Sequence, residues 1–185
     1  MNIEKLFEAQ RKLDERIVKE KGLENDDLLD KRILALQVEL GELAQNWRGF
    51  KFWSDNQTAI TLAARKTGNG KGETYNPLLE EYVDCLHFIL SIGNDTVPDT
   101  SKAERFIHPK KMPNILDQFM WTNKKIVDMY EDYRDKKIPS TGYHFTHVFS
   151  AIWGLGEMLG FTWEQIEQAY FAKNKINHER QETGY

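Results

Sequence analysis

The chain has 185 residues with a formal charge of −4, and 40% of its residues are hydrophobic and 12% aromatic, enough for the core of one domain spanning 1–185. An isoelectric point near 5.8 gives no global basic field, which argues against a nucleic-acid-binding module built on phosphate contacts. Cys85 is the only cysteine, so an intrachain disulfide is excluded. A mean hydropathy of −0.64, the lack of an apolar membrane-length run and an N-terminus without a signal-peptide core make a cytoplasmic protein the expectation.

From Ile3 to roughly Lys21, Ile3, Leu6, Phe7, Leu13 and Ile17 recur at helical spacing. A second helix is predicted from about Asp26 to Trp47, with Asn25 as its cap and Leu29, Ile33, Leu36, Leu40, Leu43 and Trp47 as its inner stripe. The stretch from Arg48 to Tyr75 contains RGFKFW and the glycine-rich TGNGKGET, which reads as a mobile loop, and Thr58–Lys66 admits a short helix. Asn76-Pro77 opens a helix that Gly93 is expected to stop. The segment from Asn94 to Met112 reads as a long connection, and Pro113 as the start of a helix running to about Arg134. Ile138-Pro139-Ser140 is read as a break before HFTHVFSAIWGLGEMLGF, and Thr162 with Gln165 as the capping box of a final helix. Few segments show strand alternation, so the expected class is all-α, a bundle of about six main helices. The catalytic helices are expected within about 1–93, with packing and C-terminal contact helices within about 113–185.

Two carboxylate pairs carry the chemistry. Glu39/Glu42 and Glu81/Asp84 are each three residues apart inside amphipathic patterns, so each pair projects from one helical face beside residues that should turn inward. Two such charges about 4 Å apart repel by roughly 4 kcal/mol at an effective dielectric near 20. A converging set therefore needs protons, basic residues or divalent cations, and oxygen-only ligands favour Mg²⁺ or Mn²⁺. Either pair alone reads first as a solvated surface, and only the two together favour a metal site. A ferritin-like di-iron bundle would need Glu-x-x-His on two helices, and neither pair supplies it. His87 and Phe88 share the face of Glu81 and Asp84. His144 and His147 are also helix-compatible but have no sequence neighbour to complete a zinc set, so they are read as structural or surface. Near the C-terminus Lys173, Asn177 and Arg180 share one face, either as a solvated helix end or as a phosphate clamp with a base-reading amide. The glycine-rich GNGKGET lacks a GK[ST] and is read as a linker or lid. Leu40-Gly41-Glu42-Leu43 is echoed by Leu155-Gly156-Glu157-Met158 without a second acid, either by chance or as a degenerate duplication of two helical halves related by a pseudo-twofold axis.

ELGELA, FKFW, EEYVDCLHFILS and KNKINHERQETGY, in this order over nearly the whole chain, resemble the dimeric all-α dUTP diphosphatases of the MazG-like nucleotide pyrophosphatase superfamily. The resemblance implies a homodimer that hydrolyses dUTP, and dUDP, to dUMP. It assigns Mg²⁺ (or Mn²⁺) to Glu39, Glu42, Glu81 and Asp84, with Glu42 or Glu39 as the general base. By the same resemblance Trp53, His87 and Phe88 line the nucleoside pocket, Asn177 reads uracil with help from Gln10, and Lys51, Lys173, Arg180 and Tyr185 contact phosphates. A dCTP or house-cleaning nucleotide pyrophosphatase is the nearest alternative, and a non-catalytic nucleotide-sensing or protein-binding module the alternative from another class.

Overall fold

The computed structural model describes residues 3–66, 72–97, 99–100 and 105–184, without the side chains of 138–141. Within these bounds the chain forms six α-helices and one small hairpin, an all-α bundle. Helix α1 (Ile3–Lys21) buries Ile3, Leu6, Phe7, Gln10 and Leu13, a stripe at helical period with one amide in it. Helix α2 (Leu29–Trp47) buries Leu29, Ile33, Leu36, Leu40 and Leu43. It starts three residues later than predicted, and Asn25 is not its cap. Asp27 instead accepts the Leu29 N–H at 3.1 Å, while its other carboxylate oxygen accepts from the Tyr133 hydroxyl at 2.8 Å. An aspartate held from both sides in this way competes with the helix for backbone donors.

The short helix that Thr58–Lys66 admits does not form. Strands β1 (Ala63–Lys66) and β2 (Gly72–Tyr75) pair antiparallel from Ala63 opposite Tyr75 to Lys66 opposite Gly72. Arg65 faces Glu73 across the ladder and lays its guanidinium 4.5 Å from the Tyr75 ring centre, so cross-strand pairing outweighs the helical preference of two alanines. Much of GNGKGET lies outside the described residues. The preceding loop is tethered: Arg48 donates to the Asn56 carbonyl at 2.7 Å, and Ile60 N–H to the Asn46 carbonyl at 2.9 Å.

Helix α3 (Pro77–Thr96) opens as predicted, with the Asn76 side chain accepting the Leu79 N–H at 3.1 Å. It does not stop at Gly93 but continues to Thr96. A Cβ at Gly93 would lie 2.6 Å from Phe7 and 2.7 Å from Phe145, so this glycine admits two aromatic rings rather than ending a helix. Helix α4 (Ile115–Arg134) starts two residues after Pro113, with Asn114 as its cap. Helix α5 (Ile138–Met158) carries a proline in its first turn, where a missing N–H costs nothing, so the residues read as a break belong to the helix. Helix α6 (Trp163–Glu182) has the predicted Thr162/Gln165 capping box.

Helix α3 is the axis of the bundle, packing against α1, α2, α5 and α6; α4 packs on α5 and α2, and α1 on α6. One core cluster draws side chains from all six helices. In the Leu-Gly-Glu echo, Leu40 and Leu155 are both buried, yet Glu157 is paired with Lys111 at 2.5 Å. A Cβ at Gly156 would press within 2.5 Å of the Tyr82 hydroxyl, whereas Gly41 faces open space.

Candidate active site

The α2–α3 contact brings the acidic faces of both helices together. One carboxylate oxygen from each of Glu39, Glu81 and Asp84 lies within 4.8 Å of the others, a group able to hold a metal ion. Burial, and then the charges of Asp84 and Glu42 among others, push the Glu39 and Glu81 carboxyls up to about 7. Glu42 is exposed and outside the three-oxygen group, although its charge is felt by both. Glu81 also accepts from Asn46 Nδ2 at 3.3 Å.

Lys173 reaches this cluster from α6, donating to Asp84 Oδ2 at 2.6 Å and Glu80 Oε1 at 3.0 Å. Burial alone would raise the Glu80 carboxyl, but Lys173 and Arg65 outweigh it and hold it below its usual range. Arg65 grips Glu80 with Nη1 at 2.9 and 3.1 Å, tying β1 to the acidic cluster. Burial still raises Asp84 despite the lysine. The remaining negative charge, the all-oxygen donor set and partial burial suit a hard divalent cation.

A cleft of about 560 Å³ opens beside these carboxylates. Of the predicted residues, Gln10, Glu39, Asp84, His87, Phe88, Lys173, Asn177 and Arg180 line it. Lys51 and Trp53 do not: Trp53 is 65% exposed and packs edge-on against Phe50 and Phe52, at 5.7 and 5.0 Å between ring centres. Lys51, half-buried, lies 5.7 Å from the Phe50 ring centre. Tyr185 lies outside the described residues. His144 is 3.2 Å from Asp132 on the neighbouring helix and takes no part in the acidic cluster.

A buried polar network underlies the cleft, and most of it was not anticipated. Gln10 Nε2 donates to Asp14 Oδ1 at 2.8 Å and to Ser91 Oγ at 3.3 Å. Gln10 Oε1 accepts from the Tyr170 hydroxyl at 2.9 Å and meets His87 Nδ1 at 2.7 Å. Ser91 Oγ donates to Asp14 Oδ2 at 2.5 Å. The His87 ring stacks on Tyr170 with centres 4.4 Å apart, and burial lowers its pKa to about 3. The one sequence signal was Gln10 itself, a polar residue in an apolar stripe with Asp14 one turn further on.

A converging carboxylate group beside a cleft that also holds cations, an amide and a buried neutral imidazole suits a metal-bound phosphate ester with a polar base. A family model described as dUTPase matches residues 2–185. A search of curated proteins returned no match. With the match spanning almost all of a helical chain, the protein belongs to the all-α dUTPase family and is a dUTP diphosphatase.

Proposed function

We propose that the protein is a Mg²⁺-dependent enzyme, with Mn²⁺ as an alternative metal, that converts dUTP to dUMP and pyrophosphate and also accepts dUDP. It acts as a cytoplasmic homodimer. The observation that carries this reading is the convergence of Glu39, Glu81 and Asp84 beside a cleft that contains Lys173, Asn177 and Arg180. Glu39, Glu42, Glu81 and Asp84 would hold the metal, which when bound neutralises phosphate charge and acidifies water to a nucleophile at neutral pH.

The chain's own residues do the rest. Lys173 and Arg180 meet phosphate oxygens, the first as a point charge and the second as a fork. Glu42 takes the proton from the attacking water at a carboxylate oxygen, with Glu39 as the alternative base. Water adds at phosphorus as the P–O–P bridge breaks, and the bridging oxygen leaves with pyrophosphate from dUTP or with phosphate from dUDP. Phe88, His87 and Asn177 take the nucleoside, with the amide paired to the uracil edge. Lys51 and Trp53 complete the site if the aromatic loop folds inward over bound nucleotide, and Tyr185 takes a phosphate contact on the family resemblance alone. Exposed Leu34 and Val38 on α2, one turn apart, support an apolar interface between protomers.

The test is release of dUMP from dUTP and dUDP, beside dCTP and dTTP, with Mg²⁺, Mn²⁺ or chelator, alongside light scattering for mass. Turnover of the uridine nucleotides only with metal supports the reading. Equal turnover of dCTP would move it to a broader pyrophosphatase.

A further inference from the structure

His87 Nε2 is buried and has no partner among the described residues, although its ring lines the cleft. What this atom can do depends on where the ring's single proton sits, and the surrounding network decides that. Ser91 has one hydroxyl hydrogen and gives it to Asp14, so its lone pairs are left to face Gln10. Asp14 and Ser91 therefore both present acceptors on one side of the Gln10 amide, which must turn its NH₂ toward them. The Gln10 oxygen then faces Tyr170 and His87, and Nδ1 must donate to it. Burial keeps the ring neutral, so Nε2 is left as a bare acceptor. Gln10 has both hydrogens and its carbonyl oxygen committed within the protein, which makes it a relay rather than a direct contact to a base.

We propose that Asp14 is a positioning residue that acts through Gln10 to lock His87 in the Nδ1–H tautomer, so that Nε2 accepts the imide N–H of uracil and disfavours cytosine. The assignment of the base rests on the dUTP-hydrolysing reading above. Asn177 alone cannot make this choice, because its oxygen and NH₂ ends are isosteric and a half-turn adapts it to either base. A histidine whose proton is fixed from behind has no such freedom. Cytosine carries a lone pair where uracil carries N3–H and would leave two acceptors facing each other.

The test uses ¹⁵N-histidine-labelled full-length protein at neutral pH, titrated with dUMP or dCMP, with no turnover required. The expected wild-type spectrum has His87 protonated at Nδ1 and bare at Nε2, and dUMP moves the Nε2 resonance while dCMP does not. Asp14→Asn keeps the tautomer, because its side-chain oxygen still accepts from Gln10. Asp14→Leu and the volume-conserving Gln10→Met release it, giving mixed tautomers and narrowing the dUTP-over-dCTP preference by about tenfold or more through KM rather than kcat. A merely structural Asp14 would weaken both nucleotides alike and leave the tautomer unchanged. A wild-type Nε2–H, a dUMP titration that leaves Nε2 unmoved, or retention of tautomer and preference in whichever of the two releasing variants folds would overturn the proposal. A protein inactive on dUTP whose Nε2 still answers dUMP would sink the functional reading and leave the relay standing.

Discussion

Replacing Glu39 by glutamine should make the metal-free protein more stable. In the fold its carboxyl is pushed up from 4.5 to about 7, first by burial and then by Asp84, Glu42 and Glu81. A rise of that size is worth at most about 3 kcal/mol. The side chain is only half-buried, and solvent screening reduces the figure to about 1–2 kcal/mol. The sign follows from proton binding. Below about pH 4.5 the group is protonated folded and unfolded, and no penalty exists. As pH rises toward about 7 the unfolded chain ionises first, so stability falls, and above that the whole penalty is present. In chelator at about pH 8, Glu39→Gln should therefore melt higher than wild type by about 2–8 °C at about 2–4 °C per kcal/mol, with the gain fading at about pH 4.5. Saturating Mg²⁺ should reverse the order, because wild type at a hundred times Kd gains about 2.7 kcal/mol and the variant lacks a ligand. Melting curves at two pH values with and without Mg²⁺ read all of this. A variant less stable than wild type in chelator at about pH 8, or stabilised equally by Mg²⁺, would refute the reasoning.

His87 works in the opposite direction: with a folded pKa near 3 against 6.5 unfolded, its stability contribution is intact above 6.5 and is lost as pH falls toward 3. Urea titrations should show about 1–2 kcal/mol less acid destabilisation between about pH 7 and pH 5 for His87→Gln than for wild type, and parallel slopes would contradict the buried neutral ring. Gly93→Ala should cost about 1–3 kcal/mol in urea, since its methyl would meet Phe7 and Phe145 at 2.6 and 2.7 Å, and wild-type stability would show that the rings give way freely. Glu157→Gln removes an acid already paired with Lys111 and should change stability by no more than about 0.5 kcal/mol, with dUTP turnover unaltered. Lost turnover would give the echoed acid a role in the site.

The helices were legible where period and cap agreed, as at Asn76-Pro77 and at Thr162 with Gln165, because these signals are local. Gly93 misled because a glycine that ends a helix and one that admits two rings look alike until α1 and α5 are in place. The hairpin was invisible because its strands are short and polar, and Arg65 finds Glu73, Tyr75 and Glu80 only once the chain has turned. Carboxylate spacing pointed to a cluster in which Glu39, Glu81 and Asp84 do converge. The relay beneath it was not readable, since Gln10 meets His87 and Tyr170 across 77 and 160 residues of chain. Glu80 was hidden beside Glu81, whose spacing to Asp84 drew attention to the wrong member of that pair for the salt bridge to Lys173.

The central claim, that acidic side chains of α2 and α3 hold a metal for dUTP hydrolysis, is tested most directly by pyrophosphate release from dUTP by wild type and Glu81→Gln, each with Mg²⁺ and with chelator. Rapid release by wild type only with Mg²⁺, falling at least about a hundredfold in Glu81→Gln, is the predicted result. Release that persists in chelator, or that survives loss of Glu81, would contradict it.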